Sequence, residues 1–323
     1  MSFYIGGLLN LVPVEKYSFS DLAYQTQSPN YGGTIRDIFV DDAYVLVAGN
    51  ANVIKRYNAV DLSYINESVS YGGAIWSIAV DNDYVYAAGQ TTRTIVKYNR
   101  ATLGKVSESS TVAANTVRKI ILDGAFLYAV DTSGYLYKFD KSTLALITSI
   151  RPTTNQLWAC AVSSDYVIVG GSGPYGALFN KNTLAFVANI QNRTTAAFEN
   201  IVVDPYDPTL FYCCYGAVGA ASELQGAVRK FNVSAPGAFQ AEWIAPTTSE
   251  SAGPVGILVT EDSLYIGGST LLRTVHQVNK STFLTTGTAS KAYAGNSIRV
   301  VTRKFTTPES GVKENPIFFG AGL

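Results

Sequence analysis

The sequence predicts an all-β fold, a seven-bladed β-propeller of four-stranded antiparallel blades whose closing blade is shared by the N- and C-termini. Three observations lead to it. One short pattern recurs: an aromatic residue, Asn or Asp, two further residues, Thr or Asp, then Leu or Phe. It reads Tyr57-Asn58…Asp61-Leu62, Tyr98-Asn99…Thr102-Leu103, Phe139-Asp140…Thr143-Leu144 and Phe179-Asn180…Thr183-Leu184, with looser copies at Tyr17-Ser18…Asp21-Leu22 and Val278-Asn279…Thr282-Phe283. The copies at 17, 57, 98, 139 and 179 stand 40 or 41 residues apart, a period that belongs to propeller blades. Each period also holds four short β-type runs separated by turn residues.

One unit shows the elements in order. Ile75-Trp76-Ser77-Ile78-Ala79-Val80 is a short apolar first strand that ends at Asp81-Asn82-Asp83. Tyr84–Gly89 and Thr94–Tyr98 follow as second and third strands, and a weaker fourth lies around Lys105-Val106-Ser107. Asp, Asn and Gly occupy the turns because they accept left-handed or Asx-turn geometry. The inner runs are almost continuously apolar, as expected where neighbouring blades cover both faces. The fourth runs are more polar. No stretch shows competing helical periodicity.

Equivalent first strands begin near Ile35, Ile75, Val117, Leu157, Phe198, Pro254 and Ile298, which gives seven. The chain forms one domain over 1–323, with blades at about 31–69, 71–110, 115–150, 155–192, 197–247, 254–290, and 297–323 plus 1–29. The seventh first strand lacks downstream outer strands, and Tyr17, Asp21, Leu22 and Tyr24 supply them, 40 residues before Tyr57, Asp61, Leu62 and Tyr64. Two segments compete for its second strand: Tyr4-Ile5-Gly6-Gly7 and Ile317-Phe318-Phe319-Gly320. Closure of this kind removes the open sheet edges of a linear array.

Composition narrows the function. Charged residues make up 15% of the chain, and 24 basic residues balance 24 acidic ones. General nucleic-acid binding, which depends on excess positive charge, is not expected. Membrane insertion is not expected either, because no apolar run approaches the length of a spanning helix. Met1-Ser2-Phe3 lacks the basic and apolar regions of a signal peptide, so the expected location is the cytoplasm or a virion.

Catalytic and metal chemistry find few candidates. His276 is the sole histidine, which excludes a histidine cluster within one chain. Asp41-Asp42, Asp81/Asp83 and Asp123-Gly124 share one hairpin position and read as turn residues, and Asp204-Pro205-Tyr206-Asp207-Pro208 reads as a longer version. Cys160, Cys213 and Cys214 fall in strands and read as buried thiols. No catalytic residue, metal ligand or cofactor is assigned.

The strand ending in Tyr/Phe-Asn/Asp-x-x-Thr-Leu resembles the repeats of quinoprotein-like and YVTN-type propellers, over essentially the whole chain. Quinone-dependent dehydrogenases of that superfamily use a catalytic Asp, a calcium site and often a disulfide between adjacent cysteines. The resemblance therefore implies a comparison with Cys213-Cys214. That pair lies within a strand rather than a loop over a cofactor, which argues against a quinoprotein enzyme; the chain is expected not to be an enzyme, with a propeller enzyme built from unrecognised loop residues as an alternative.

Alignment of the first strands places Arg36, Trp76, Arg118, Trp158, Glu199, Val255 and Arg299 at one position. First strands line the channel, so this position rings one mouth of it. Tyr31 and Tyr71 lie just upstream in the incoming loops. Arg and Trp combine contact area with polar capability, so Arg36, Trp76, Arg118, Trp158, Arg299, Tyr31 and Tyr71 form a candidate ligand- or partner-binding set. An acidic sugar or a carboxylate-bearing peptide suits it, and packing between blades is the structural alternative. The expected function is a non-catalytic interaction module whose partners are other subunits of an assembly. A composition low in charge and rich in Tyr, Thr, Ser, Asn and Gly resembles bacteriophage capsid, tail or fibre proteins. The longest insertions, Gly216–Gly226, Ser234–Pro254 and Phe305–Pro316, are poor in catalytic residue types and read as contact surfaces.

Overall fold

A computed structural model describes residues 2–8, 13–90, 92–110, 115–173, 175–193, 196–216, 226–245, 254–268, 275–289 and 297–303. Every regular element among them is a strand. In chain order β1 (Ser2–Leu8), β2 (Glu15–Ser18) and β3 (Tyr24–Gln27) come first. Blade 1 holds β4 (Ile35–Val40), β5 (Tyr44–Gly49), β6 (Lys55–Asn58) and β7 (Tyr64–Glu67). Blade 2 holds β8 (Ile75–Val80), β9 (Tyr84–Gly89), β10 (Ile95–Asn99) and β11 (Lys105–Glu108). Blade 3 holds β12 (Val117–Asp123), β13 (Phe126–Asp131), β14 (Leu136–Asp140) and β15 (Leu146–Ile150). Blade 4 holds β16 (Leu157–Val162), β17 (Tyr166–Gly171), β18 (Gly176–Asn180) and β19 (Phe186–Asn189). Blade 5 holds β20 (Phe198–Val203), β21 (Leu210–Tyr215), β22 (Ala227–Asn232) and β23 (Phe239–Ile244). Blade 6 holds β24 (Pro254–Val259), β25 (Ser263–Gly268), β26 (His276–Asn279) and β27 (Thr285–Thr288), and β28 (Ser297–Arg303) ends the series.

Seven four-stranded antiparallel sheets result. Each first strand packs on the first strand of the next blade, from β4 through β8, β12, β16, β20, β24 and β28 and back to β4, which closes the ring. The closing sheet runs β28-β1-β2-β3. Tyr4 pairs with Thr302 on one side and Lys16 on the other, so the Tyr4–Gly7 segment takes the second-strand position. The C-terminus therefore contributes one strand to this sheet and the N-terminus three. Ile317–Gly320 lies outside the described residues.

Burial follows radius. β16 is buried along its whole length, whereas β7, β11 and β19 are largely exposed. Inner strands have a neighbouring blade on both faces, so their alternation is lost.

The recurring motif is a turn with a defined job. Asn99 Oδ1 accepts the amides of Ala101 and Thr102 at 3.0 Å each, and Asn180 and Asn279 repeat the arrangement. The amide of Leu103 then donates to the Asn99 carbonyl at 2.8 Å. That closure drives the last motif residue into the left-handed region, with φ of 60° at Leu62, 58° at Leu103, 59° at Leu144 and 57° at Leu184. Such a conformation costs a branched side chain about 1–2 kcal/mol. Glycine would avoid it, but these leucines are buried, and burial of a Leu side chain returns about 1.5–3 kcal/mol. The motif thus trades local strain for a core contact in every copy.

The hairpin aspartates do two things at once. Asp81 Oδ1 accepts the amides of Asp83 and Tyr84, which builds the turn, and its Oδ2 pairs with Lys141 of the next blade at 3.0 Å. Asp41 with Arg100, Asp123 with Lys181 and Asp204 with Lys280 repeat the inter-blade pairing. Third-strand cations add a second tie. Lys16 donates to the Val60 carbonyl at 2.8 Å, Arg56 to Ala101 at 2.7 Å and Lys138 to Asn182 at 3.1 Å, each on the following blade's motif turn.

Candidate functional site: the channel ring

Each first strand opens with a β-bulge, and the bulged residue is the aligned one. Ile35 pairs with Gly49 and Asp37 with Ala48, which leaves Arg36 as the extra residue. The same skip falls at Trp76, Arg118, Trp158, Glu199, Val255 and Arg299. A bulge re-aims a side chain and increases local twist. Opposite three of them a glycine is required: a Cβ on Gly49 or Gly89 would lie 2.0 Å from the carbonyl oxygen of Thr34 or Ala74, and one on Gly171 1.9 Å from that of Gln156.

Four ring residues come together. The guanidinium carbons of Arg36 and Arg118, from the blades on either side, each lie 3.8 Å from the Trp76 ring. Arg118 also lies 5.6 Å from the Trp158 ring, so the stack continues around the channel. Arg36 Nε donates to Asn50 Oδ1 at 3.2 Å, and Trp158 Nε1 to Gln156 Oε1 at 3.0 Å. Trp76 Nε1 is buried and has no hydrogen-bond partner. Arg118 and Trp158 are only 4% exposed, whereas Arg36 and Trp76 are half-buried and form the accessible part of the ring. Arg299 lies in β28, whose side chains fall outside the described residues.

Tyr31 and Tyr71 stand elsewhere. Both are buried, and their hydroxyls donate to the carbonyls of Val53 at 2.7 Å and Thr94 at 2.8 Å. Burial and these bonds account for both tyrosines as packed residues, and no contact joins either of them to the Arg36–Trp76–Arg118 stack among the described residues.

A second polar layer lies one residue beyond the bulge. Asp37 Oδ2 accepts Ser77 Oγ and the Ile78 amide at 3.0 Å each, and Lys119 Nζ stands 3.5 Å away. Both charged side chains are almost wholly buried. Burial raises the Asp37 carboxyl above the usual carboxylate value, because desolvation outweighs the ammonium and the hydrogen bonds. Burial likewise lowers Lys119 to about 8, with the Asp37 carboxylate opposing the shift. Asn200, at the equivalent position of blade 5, donates to the Val255 carbonyl at 3.1 Å. The signal for this layer was an Asp, a Lys and an Asn inside otherwise apolar strands.

The remaining candidates are accounted for by packing. Cys160, Cys213 and Cys214 are buried thiols, and burial pushes Cys160 up to about 12. His276 is buried beside Trp243, and burial holds it below the usual histidine value. Among the described residues no group of three or more His, Cys, Asp or Glu could hold a metal ion. Among the described residues no helix is long and apolar enough to cross a membrane.

No family model and no curated protein matches the chain. Among solved structures it is similar to the computationally designed Ika8 protein, with a TM-score of 0.69 and 10% sequence identity over 98% of this chain and 92% of that one. At such an identity the likeness extends to the fold alone. The resemblance to quinoprotein-like and YVTN-type repeats rests on the repeat pattern. What the ring of sheets and this likeness together establish is a seven-bladed β-propeller.

Proposed function

We propose that the chain is a non-catalytic interaction module, a rigid disc that serves as a structural subunit of a larger assembly. One observation carries this reading. The outermost strands present large apolar side chains to solvent: Tyr64 and Ile65 on β7, Leu146 and Ile147 on β15, Phe186 and Val187 on β19. Ile65, Ile147 and Val187 are the bulged residues of their strands, where the regular alternation of side chains is broken. Each of these strands also ends its sheet, with one backbone edge unpaired among the described residues. Monomeric proteins blunt such edges with charge or proline, and contiguous exposed apolar surface marks interaction sites.

A virion component is the assembly we favour, and its support is composition: few charges and a surface rich in hydroxyl and amide side chains. The alternative, a glycan- or peptide-binding propeller, is supported by the channel ring. Guanidinium groups on opposite faces of one indole stand roughly 8 Å apart and repel by about 2 kcal/mol at an effective dielectric of ~20, which a carboxylate would relieve.

Mass photometry of the purified protein, and of material recovered without disrupting large particles, tests the assembly reading. Defined multimers or co-purification with a particle are expected, and Ile147→Lys with Phe186→Lys should release monomers. A 34.6 kDa monomer in both preparations would overturn it.

A further inference from the structure

A cleft of about 520 Å³ opens between blades 1 and 2 on the face opposite the channel ring, where the first hairpins turn. Its size falls within the range of small-ligand sites. Tyr44, Tyr84, Asn82, Asp83, Asn99 and Arg100 are among the residues that line it. We infer that this cleft binds a neutral saccharide, stacked on the two tyrosines and hydrogen-bonded by Asn82, Asp83 and Asn99.

Charge selects against an anionic ligand. The Arg56 guanidinium lies 4.8 Å from the Tyr44 ring, and the Lys97 ammonium 3.9 Å from the Tyr84 ring. Neither cation lines the cleft, so each covers a ring face directed away from it. Each tyrosine therefore keeps one face for a ligand. Arg100 is already paired with Asp41, and an anion would meet Asp42 and Asp83. A neutral polyol does not incur that cost, and its C–H faces can bury against the tyrosines.

The polar groups match hydroxyls, which both donate and accept. Asn99 Oδ1 is occupied by the amides of Ala101 and Thr102, which leaves its NH2 group as the donor toward a ligand. Asn82 offers an amide and Asp83 a carboxylate from an exposed turn. Part of the lining is fixed in advance. Arg100 donates to the Asp81 carbonyl at 2.8 Å and pairs with Asp41, whose Oδ1 is held by the amides of Ala43 and Tyr44. Such preorganisation lowers the entropy cost of binding.

Saturation-transfer NMR of the full chain tests the site. The probes are the neutral methyl glycosides of glucose, galactose, mannose and N-acetylglucosamine, with N-acetylneuraminic acid and N-acetyl-lysine amide as charged controls. Transfer to at least one neutral glycoside is expected, with affinity falling about tenfold or more in Asn82→Ala/Asp83→Ala, the loss of roughly one to two hydrogen bonds. Both positions are exposed turn residues, so an unchanged melting point should accompany the loss. Absence of transfer to every glycoside, equal affinity in the variant, or preference for a charged control would each overturn the proposal. The rim variant Ile147→Lys/Phe186→Lys should retain saccharide binding, which separates this test from that of the assembly.

Discussion

Asp37 and Lys119, on the first strands of blades 1 and 3, form a 3.5 Å ion pair whose side chains are 0% and 1% exposed. Ser77 of the intervening blade donates to the same carboxylate, so three consecutive blades meet at one oxygen. Removing two charges from water costs several kcal/mol per ion. The pair is therefore better understood as a device that fixes how blades register than as a source of stability.

Breaking it should cost more than replacing it. Lys119→Met is expected to destabilise the fold by about 3–5 kcal/mol, because it strands a buried carboxylate. Adding Asp37→Asn, which keeps an acceptor for Ser77, should recover most of that loss. Urea denaturation of the two variants checks both statements, and a double variant no more stable than the single one would contradict the account.

The pH dependence has a definite sign. Burial lowers Lys119 in the folded protein to about 8, below its ordinary value of 10.5. Between these values the unfolded chain binds the extra proton, so this residue's contribution to stability rises with pH. The difference in Tm between the native protein and Lys119→Met should widen from about pH 8 upward. A constant or shrinking difference would mean that the lysine stays charged at its ordinary value.

The left-handed leucines can be tested one at a time. Leu144→Gly removes about 1–2 kcal/mol of backbone strain but vacates a buried site worth about 2–5 kcal/mol. A net loss of about 1–3 kcal/mol is expected by chemical denaturation. A stabilised variant would show that strain outweighs the core contact.

Within the channel ring the two arginines should differ. Arg118 is buried and touches both Trp76 and Trp158, whereas Arg36 is half-buried and touches Trp76. Desolvated cation–π contacts are worth about 2 kcal/mol and exposed ones about 0.5–1. Arg118→Ala should therefore lower the melting temperature more than Arg36→Ala, and equal effects would argue against a self-supporting stack.

Closure rests on β1, which joins β28 to β2 and β3. Deleting residues 2–8 should leave no folded monomer, by circular dichroism and size-exclusion chromatography. A truncated chain that stays monomeric with an unchanged melting point would refute the role of this strand.

Much of this architecture was legible in the chain. The Asn99 and Asn180 turns announced themselves because each copy needs the same short-range hydrogen bonds, and local chemistry repeats wherever the geometry repeats. Alignment of first strands likewise found the ring position, since a bulge at one place in every strand keeps the side chains in phase. Tyr31 and Tyr71 show the limit. Their neighbours in sequence lie in the loop that enters the first strand, while their hydroxyls bond to Val53 and Thr94, in the segments that lead into the third strand.

The sequence by itself determined the number of blades, their internal order and the turns that separate them, because periods of 40 residues and Asx-type turns depend on contacts within one unit. Only the tertiary structure decided the rest. Which segment joins β28, which blade's lysine meets Asp37, and that Arg36, Trp76 and Arg118 stack on one another are all relations between blades. They depend on residues 40 or more positions apart arriving at the same radius, and ring closure alone brings them there.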